Sequence, residues 1–187
     1  MRFRQFMPLI IFGGIFVAFA LGLTLKPREI PSGLIGKAAP EFSLPRLKGD
    51  GVGLSSEDLK DKPEIIMVNF FASWCGPCRV EHGALVRLGA LPGIKLYGIS
   101  FKDRPENSLR FLASLGDPYA KIGADLKGRH AINWGVTGTP ETFIIKDGII
   151  HYQHIGPIHD FEVEAKIIPA LKAIGWQGTD GPEKGAD

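Results

Sequence analysis

Cys75 and Cys78 are the two cysteines of the chain, and both lie in the segment Trp74-Cys75-Gly76-Pro77-Cys78. A thiol pair at this spacing suits disulfide exchange. One thiolate attacks an external disulfide, and the second, one helical turn deeper, resolves the mixed disulfide intramolecularly. Placed where a strand gives way to a helix, Cys75 meets unpaired backbone N–H groups and the positive end of the helix dipole, which favours the thiolate. Gly76 permits close approach and Pro77 presets a helical φ. A disulfide between the two would close so short a loop that it restricts the unfolded chain little, so the pair reads as reactive rather than structural. The competing chemistry is a zinc site, for which two cysteines are too few without histidines. The histidines are His82, His130, His151, His154 and His159. His151 and His154 are an odd number apart on a predicted strand, so they point to opposite faces and cannot chelate together. Redox chemistry is the favoured reading, with no metal and no cofactor beyond the dithiol.

The elements that must position this pair follow from hydrophobic patterning. Residues 65–71 (IIMVNFF) form a continuous apolar run, the mark of a central strand buried on both faces. Residues 76–88 follow with helical spacing through Val80, Ala84, Leu85 and Leu88, and residues 94–100 read as another strand. Asp103 with Glu106 resembles a capping box for a helix carrying Leu109, Leu112 and Leu115. Residues 142–145 and 149–152 flank Asp147-Gly148, a hairpin signal. Asp160 is placed to cap a last helix with Val163, Ile167, Ile168, Leu171 and Ile174, kinked by Pro169. Residues 40–54 suggest an additional hairpin. The resulting order, strand–helix–strand–helix–strand–strand–helix, predicts an α/β fold with a mixed central sheet and helices on both faces.

The 187 residues suffice for one domain and a tail, and 44% hydrophobic with 22% charged residues excludes a wholly disordered chain. A net charge of +2 supplies no electrostatic footprint for nucleic acid. Residues 7–25 contain no charge and would span about 28 Å as a helix, close to a hydrocarbon core of about 30 Å. Ala18-Phe19-Ala20 also fits a small-x-small cleavage pattern, but residues 21–25 remain apolar, so an uncleaved anchor is favoured over a signal peptide. Either reading delivers the rest of the chain outside the cytoplasmic membrane. The expected organisation is a cytoplasmic tail at 1–6, a transmembrane anchor at 7–25, a linker at 26–36, a folded domain at 37–176 and a polar tail at 177–187 that does not pack.

The strand-WCGPC-helix segment resembles the thioredoxin superfamily, and Val136-Thr137-Gly138-Thr139-Pro140 falls where that fold carries its cis-proline loop. Four further segments resemble a narrower group, the membrane-anchored CcmG/DsbE thiol–disulfide oxidoreductases of cytochrome c maturation. They are Tyr97-Gly98-Ile99-Ser100-Phe101-Lys102-Asp103, Ile132-Asn133-Trp134-Gly135-Val136, Pro140-Glu141-Thr142-Phe143 and His154-Ile155-Gly156-Pro157-Ile158. This resemblance implies a thioredoxin-like fold and a protein disulfide reductase in the periplasm, held by a single span in the inner membrane. It implies apocytochrome c or a maturation thiol protein as partner, and a membrane thiol–disulfide transporter of the CcdA/DsbD type as the source of electrons. A general reductant of exported proteins, ResA/TlpA-like, differs by partner and not by chemistry. A copper-binding chaperone is the weaker alternative, because it would space its cysteines differently.

The site expected from these readings comprises Cys75 and Cys78, with Thr139, Pro140 and Glu141 along the substrate groove. Trp74 offers a flat apolar contact over Cys78 or a packing role. Asn69 stands where ordinary thioredoxins carry a buried aspartate; an amide takes no proton from Cys78, so it reads as a hydrogen-bonded core residue. For Glu81, two readings stand side by side: a proton relay one turn after Cys78, or a solvated helix residue paired with Arg79 or Arg87. The family pattern Glu-x-Pro is broken here as Glu81-His82-Gly83. Glu141 lines the groove near the thiols or lies inert on the surface.

Overall fold

The computed structural model describes residues 3–24, 33–60 and 63–178, in two compact units, residues 1–31 and 32–187. Most of the expected linker and C-terminal tail lies outside the described residues. The first unit contains the helix α1, Phe3–Thr24, whose described side chains are exposed. Among the described residues no helix is long and apolar enough to cross a membrane. The expected anchor at residues 7–25 is thus not shown by the structure, and the expectation rests on the charge-free sequence alone.

The second unit is built on a five-stranded sheet of order β5-β4-β3-β6-β7. Its strands are β3 (Ile65–Phe71), β4 (Ile94–Phe101), β5 (Lys121–Asp125), β6 (Glu141–Lys146) and β7 (Ile149–Ile155). β3 runs parallel to β4, and β4 to β5, while β6 is antiparallel to both β3 and β7. All seven residues of β3 are buried, as its unbroken apolar run requires. Asp147 and Gly148, both at positive φ, make the tight turn between β6 and β7. A separate antiparallel pair, β1 (Ser43–Pro45) and β2 (Val52–Ser55), realises the expected N-terminal hairpin.

Two apolar clusters cover the two faces of the sheet. One gathers Met67, Phe71, Leu85, Leu88 and Leu96 with Phe111, Leu112, Ile167 and Leu171 from the helices α2 (Gly76–Gly89), α3 (Pro105–Leu115) and the C-terminal helical segment. The other gathers Ile66, Val68, Phe70 and Phe143 with Leu44 and Leu54 of the hairpin and Trp134, which follows the short helix α4 (Arg129–Asn133). Trp134, Phe70 and Phe143 meet edge to face at centroid distances of 5.0 to 5.8 Å.

Several local expectations are corrected. β5 and α4 are elements that the sequence pattern did not show. β5 carries Gly123 at its centre because a Cβ there would lie 2.6 Å from the Cβ of Leu44, so close packing of the hairpin removed the side chain that would have signalled a strand. On α2 the buried stripe is Cys78, Glu81, His82, Ala84, Leu85 and Leu88, whereas Val80 is exposed. α3 is not capped by Asp103: its N-cap is Arg104 and Pro105 opens it, one residue later than expected. The buried side of α3 is Ser108, Phe111 and Leu112, with Leu109 and Leu115 exposed. The last helical segment has His159 as N-cap before α5 (Asp160–Glu162). It widens into a π turn over Val163–Ile167 and continues as α6 (Ile168–Ala173). Pro169 has no N–H to return to the preceding turn, and the wider turn just before it accommodates that loss.

Candidate functional site

The paired cysteines sit where β3 ends and α2 begins, joined as a disulfide. Cys75 is the N-cap of α2 in an extended conformation, and its sulfur accepts a hydrogen bond from the backbone N–H of Cys78 at 3.1 Å. A sulfur thus fills the position usually taken by a serine or aspartate oxygen, where the orphan amides and dipole of the helix stabilise negative charge. In the disulfide form Cys75 is 3% and Cys78 2% exposed. Trp74 is 58% exposed; its indole N–H donates to the Lys102 carbonyl at 3.2 Å and its ring tilts against Phe101.

The cis peptide bond Thr139–Pro140 lies beside the disulfide, with the Thr139 carbonyl oxygen 3.5 Å from the Cys75 sulfur. The loop that carries it is held by Glu141. One carboxylate oxygen accepts from the Thr137 N–H at 2.7 Å, the Thr137 hydroxyl at 2.7 Å and the Gly138 N–H at 3.2 Å. The other accepts from the Gln153 amide at 2.6 Å. Glu141 is buried, which corrects the reading of an inert surface residue, and its contacts brace the loop.

The opposite border of the disulfide segment is braced by Asp103. Its carboxylate accepts from the Ser73 N–H at 2.9 Å and hydroxyl at 3.0 Å, from the Arg104 N–H at 2.9 Å and from the Ser108 hydroxyl at 2.6 Å. The residue expected as a helix cap instead ties the chain two positions before Cys75 to the β4–α3 turn.

Glu81 is wholly buried, so the solvated reading fails. Arg87 pairs with Asp160, and Arg79 lies over the Phe111 ring. One Glu81 oxygen accepts from the Asn69 amide at 2.9 Å and the other from the Ile158 N–H at 3.0 Å. Burial pushes its pKa from 4.5 up to about 7, against the lowering pull of these two donors. Asn69 also donates to the Thr142 hydroxyl at 3.0 Å and accepts from the Tyr119 hydroxyl at 2.7 Å. The reading of Asn69 as a hydrogen-bonded core amide therefore matches its surroundings. Burial and the nearby Glu81 carboxylate raise the Tyr119 phenol well above its usual range.

Thr142, Tyr119, Gln153 and the Ile158 amide were not legible as site residues. The available signal was for Glu81 itself. It shares the i, i+3, i+4 stripe of Cys78, Leu85 and Leu88, and a carboxylate on a core stripe demands buried donors. His151 is exposed and His154 buried, consistent with opposite faces of β7. Among the described residues no group of three or more His, Cys, Asp or Glu is arranged to hold a metal ion.

Residues 34–167 match the Redoxin family. The chain is 41% identical over 171 residues to the Thiol:disulfide interchange protein DsbE of Allochromatium vinosum, covering 91% of this chain and 93% of that protein. It is 39% identical over 169 residues to the Thiol:disulfide interchange protein HelX of Rhodobacter capsulatus, covering 89% and 94% respectively. Among solved structures, a DsbE-type thiol:disulfide interchange protein from Chlorobium tepidum superposes with a TM-score of 0.58 at 28% identity, covering 73% of this chain and 97% of that one.

Proposed function

Since this chain belongs to the redoxin family and, within it, to the CcmG/DsbE group of thiol–disulfide oxidoreductases, we propose that it acts outside the cytoplasmic membrane as a reductant in cytochrome c maturation. The observation that carries the chemistry is Cys75 as the sulfur N-cap of α2, against the Thr139 carbonyl. In the reduced protein the same helix terminus favours the Cys75 thiolate, which attacks one sulfur of the substrate disulfide and expels the other as a thiolate. An extended substrate segment lies along Thr139, Pro140 and Glu141, with Trp74 as an apolar contact. The Cys78 thiol then loses its proton and attacks Cys75 in the mixed disulfide. This releases the second substrate thiol and leaves the Cys75–Cys78 disulfide. Glu81, one turn from Cys78 on the same stripe and poised near neutrality, takes that proton.

The cytochrome assignment rests on the resemblance of the four segments named above, and it has a physical reason: a C-x-x-C-H haem-attachment motif must present free thiols. An exported dithiol works against an oxidising surrounding, so electrons reach it from a membrane thiol–disulfide transporter of the CcdA/DsbD type. The apolar residues 7–25 anchor the domain, residues 26–36 link it and residues 177–187 form a tail. Replacing Cys78 by serine in native membranes tests the reading. The variant should accumulate mixed disulfides through Cys75 with apocytochrome c or a maturation thiol protein. Adducts spread over unrelated exported proteins would shift the assignment to a general reductant. A Cys75 that forms no adduct, while Cys78 in the wild-type protein is alkylated first, would reverse the roles of the two thiols.

A further inference from the structure

Around Glu81 one group remains unused by the thiol chemistry, the side-chain amide of Asn69. Both hydrogen bonds recorded to the Glu81 carboxyl come from donors, Asn69 Nδ2 and the Ile158 N–H. That arrangement fits the ionised carboxylate. A protonated Glu81 carries an O–H, and an O–H aimed at an N–H finds no acceptor, which is costly for a fully buried group.

We infer that the Asn69 amide turns over by half a turn when Glu81 gains a proton, so that one side chain satisfies both states of the carboxyl group. This makes Asn69 a positioning residue that acts through Glu81, and the inference rests on the reading of Glu81 given above. In the orientation seen, Nδ2 faces Glu81 and Thr142 while Oδ1 faces Tyr119. After the half-turn, Oδ1 accepts from the Glu81 O–H and from the Thr142 hydroxyl, and Nδ2 donates to the Tyr119 oxygen. Each of the three contacts survives with its direction reversed. The two outer partners are hydroxyls, which rotate to donate or accept. An aspartate has two acceptors and a leucine has neither group, so an amide with two unlike ends is what the reversal needs. Burial keeps Tyr119 protonated throughout, and it stays available in both directions.

The groups facing Glu81 are few. β3 supplies Asn69, β6 reaches the cluster through Thr142, the segment before β5 supplies Tyr119, and the segment after β7 supplies the Ile158 N–H. On its own helix the titratable neighbours are Cys78 at i−3 and the adjacent His82. Tyr119 also feels Asp117. The proton that drives the turn is the one Cys78 gives up: the S–H bond breaks, the Glu81 O–H bond forms, and no electron moves in this step.

The test uses the full chain, reduced and oxidised, in detergent micelles with 15N-labelled asparagine and 13C-labelled glutamate. Only Asn69, Asn107 and Asn133 then contribute side-chain amide signals. As pH rises across about 5 to 9, the Asn69 amide protons should exchange their proximity from the Tyr119 ring to Thr142, with the midpoint of the Glu81 carboxyl carbon. In Asn69→Asp two carboxyls face one another, so the Glu81 midpoint should rise by more than about one pH unit and the pH–rate profile should split. Amide protons that keep their contacts while Glu81 titrates would overturn the turnover and leave the role of Glu81 standing. A Glu81 carbon that does not titrate in this range would remove both. The wild-type spectra decide even where Asn69→Asp does not fold.

Discussion

Two buried carboxylates belong to the elements around the disulfide, Glu81 on α2 and Glu141 at the start of β6, and they are held in opposite ways. Glu141 collects four donors, from Thr137, Gly138 and Gln153, all on or beside the loop that meets Cys75. Glu81 collects two, and burial leaves it near neutrality. Neither has a cation as partner among its recorded hydrogen bonds. The difference is one of satisfaction: a carboxylate saturated with fixed donors acts as a clamp, whereas one with few donors in a dry setting can gain and lose a proton.

The largest test of this contrast is Glu141→Ala. It strands the Thr137 and Gly138 N–H groups and the Gln153 amide, and should lower the unfolding free energy by about 3 to 5 kcal/mol. Urea unfolding measures it, together with slower thiol exchange as the loop beside Cys75 loosens. A loss below about 1 kcal/mol would mean that the clamp is not holding the loop.

Glu81→Gln probes the other side. The Glu81 pKa is raised from 4.5 to about 7, so between those values the native state holds a proton that the unfolded chain has released. Stability therefore falls as pH rises through this window. At about 1.4 kcal/mol per pH unit, the full cost above pH 7 is about 3 kcal/mol. The glutamine variant escapes that term: it should be the more stable protein at pH 8, with the advantage vanishing towards pH 4.5. Parallel stability curves for the two proteins from pH 4 to pH 9 would show that Glu81 takes up no extra proton on folding and collapse the comparison.

How much of this could be read beforehand divides along similar lines. β3, the β6–β7 hairpin and the thiol pair at a strand-to-helix junction were legible because each is written locally, in an apolar run, an Asp-Gly turn and a five-residue motif. β5 was not, because Gly123 is shaped by Leu44 from a distant hairpin. Asp103 imitates a capping box in its local pattern, while its partners Ser73 and Ser108 are fixed by tertiary packing that the pattern does not carry. The roles of Glu81 and Glu141 depended likewise on donors from other elements. Residue types at the site were readable; the arrangement that separates a clamp from a proton holder was not.

Asp103 extends the contrast to a third buried carboxylate and sets its smallest test. Like Glu141 it is saturated, here by Ser73, Arg104 and Ser108, and it fixes the segment leading into Trp74 and Cys75. Ser73→Ala removes the hydroxyl bond of 3.0 Å and keeps the backbone N–H bond of 2.9 Å. The expected cost is about 1 kcal/mol in unfolding free energy, the worth of one ordinary hydrogen bond. Because Ser73→Ala alters the geometry around Asp103 and leaves the Glu81 cluster intact, the pH dependence of thiol exchange should keep its midpoint in this variant, in contrast to Glu81→Gln, where the limb governed by Glu81 should disappear. Stopped-flow reduction of a disulfide peptide across pH reads both variants in one assay. A midpoint that moves in Ser73→Ala would place Asp103 with Glu81 among the proton-handling groups, and the division between clamps and proton holders would have to be redrawn around the thiols.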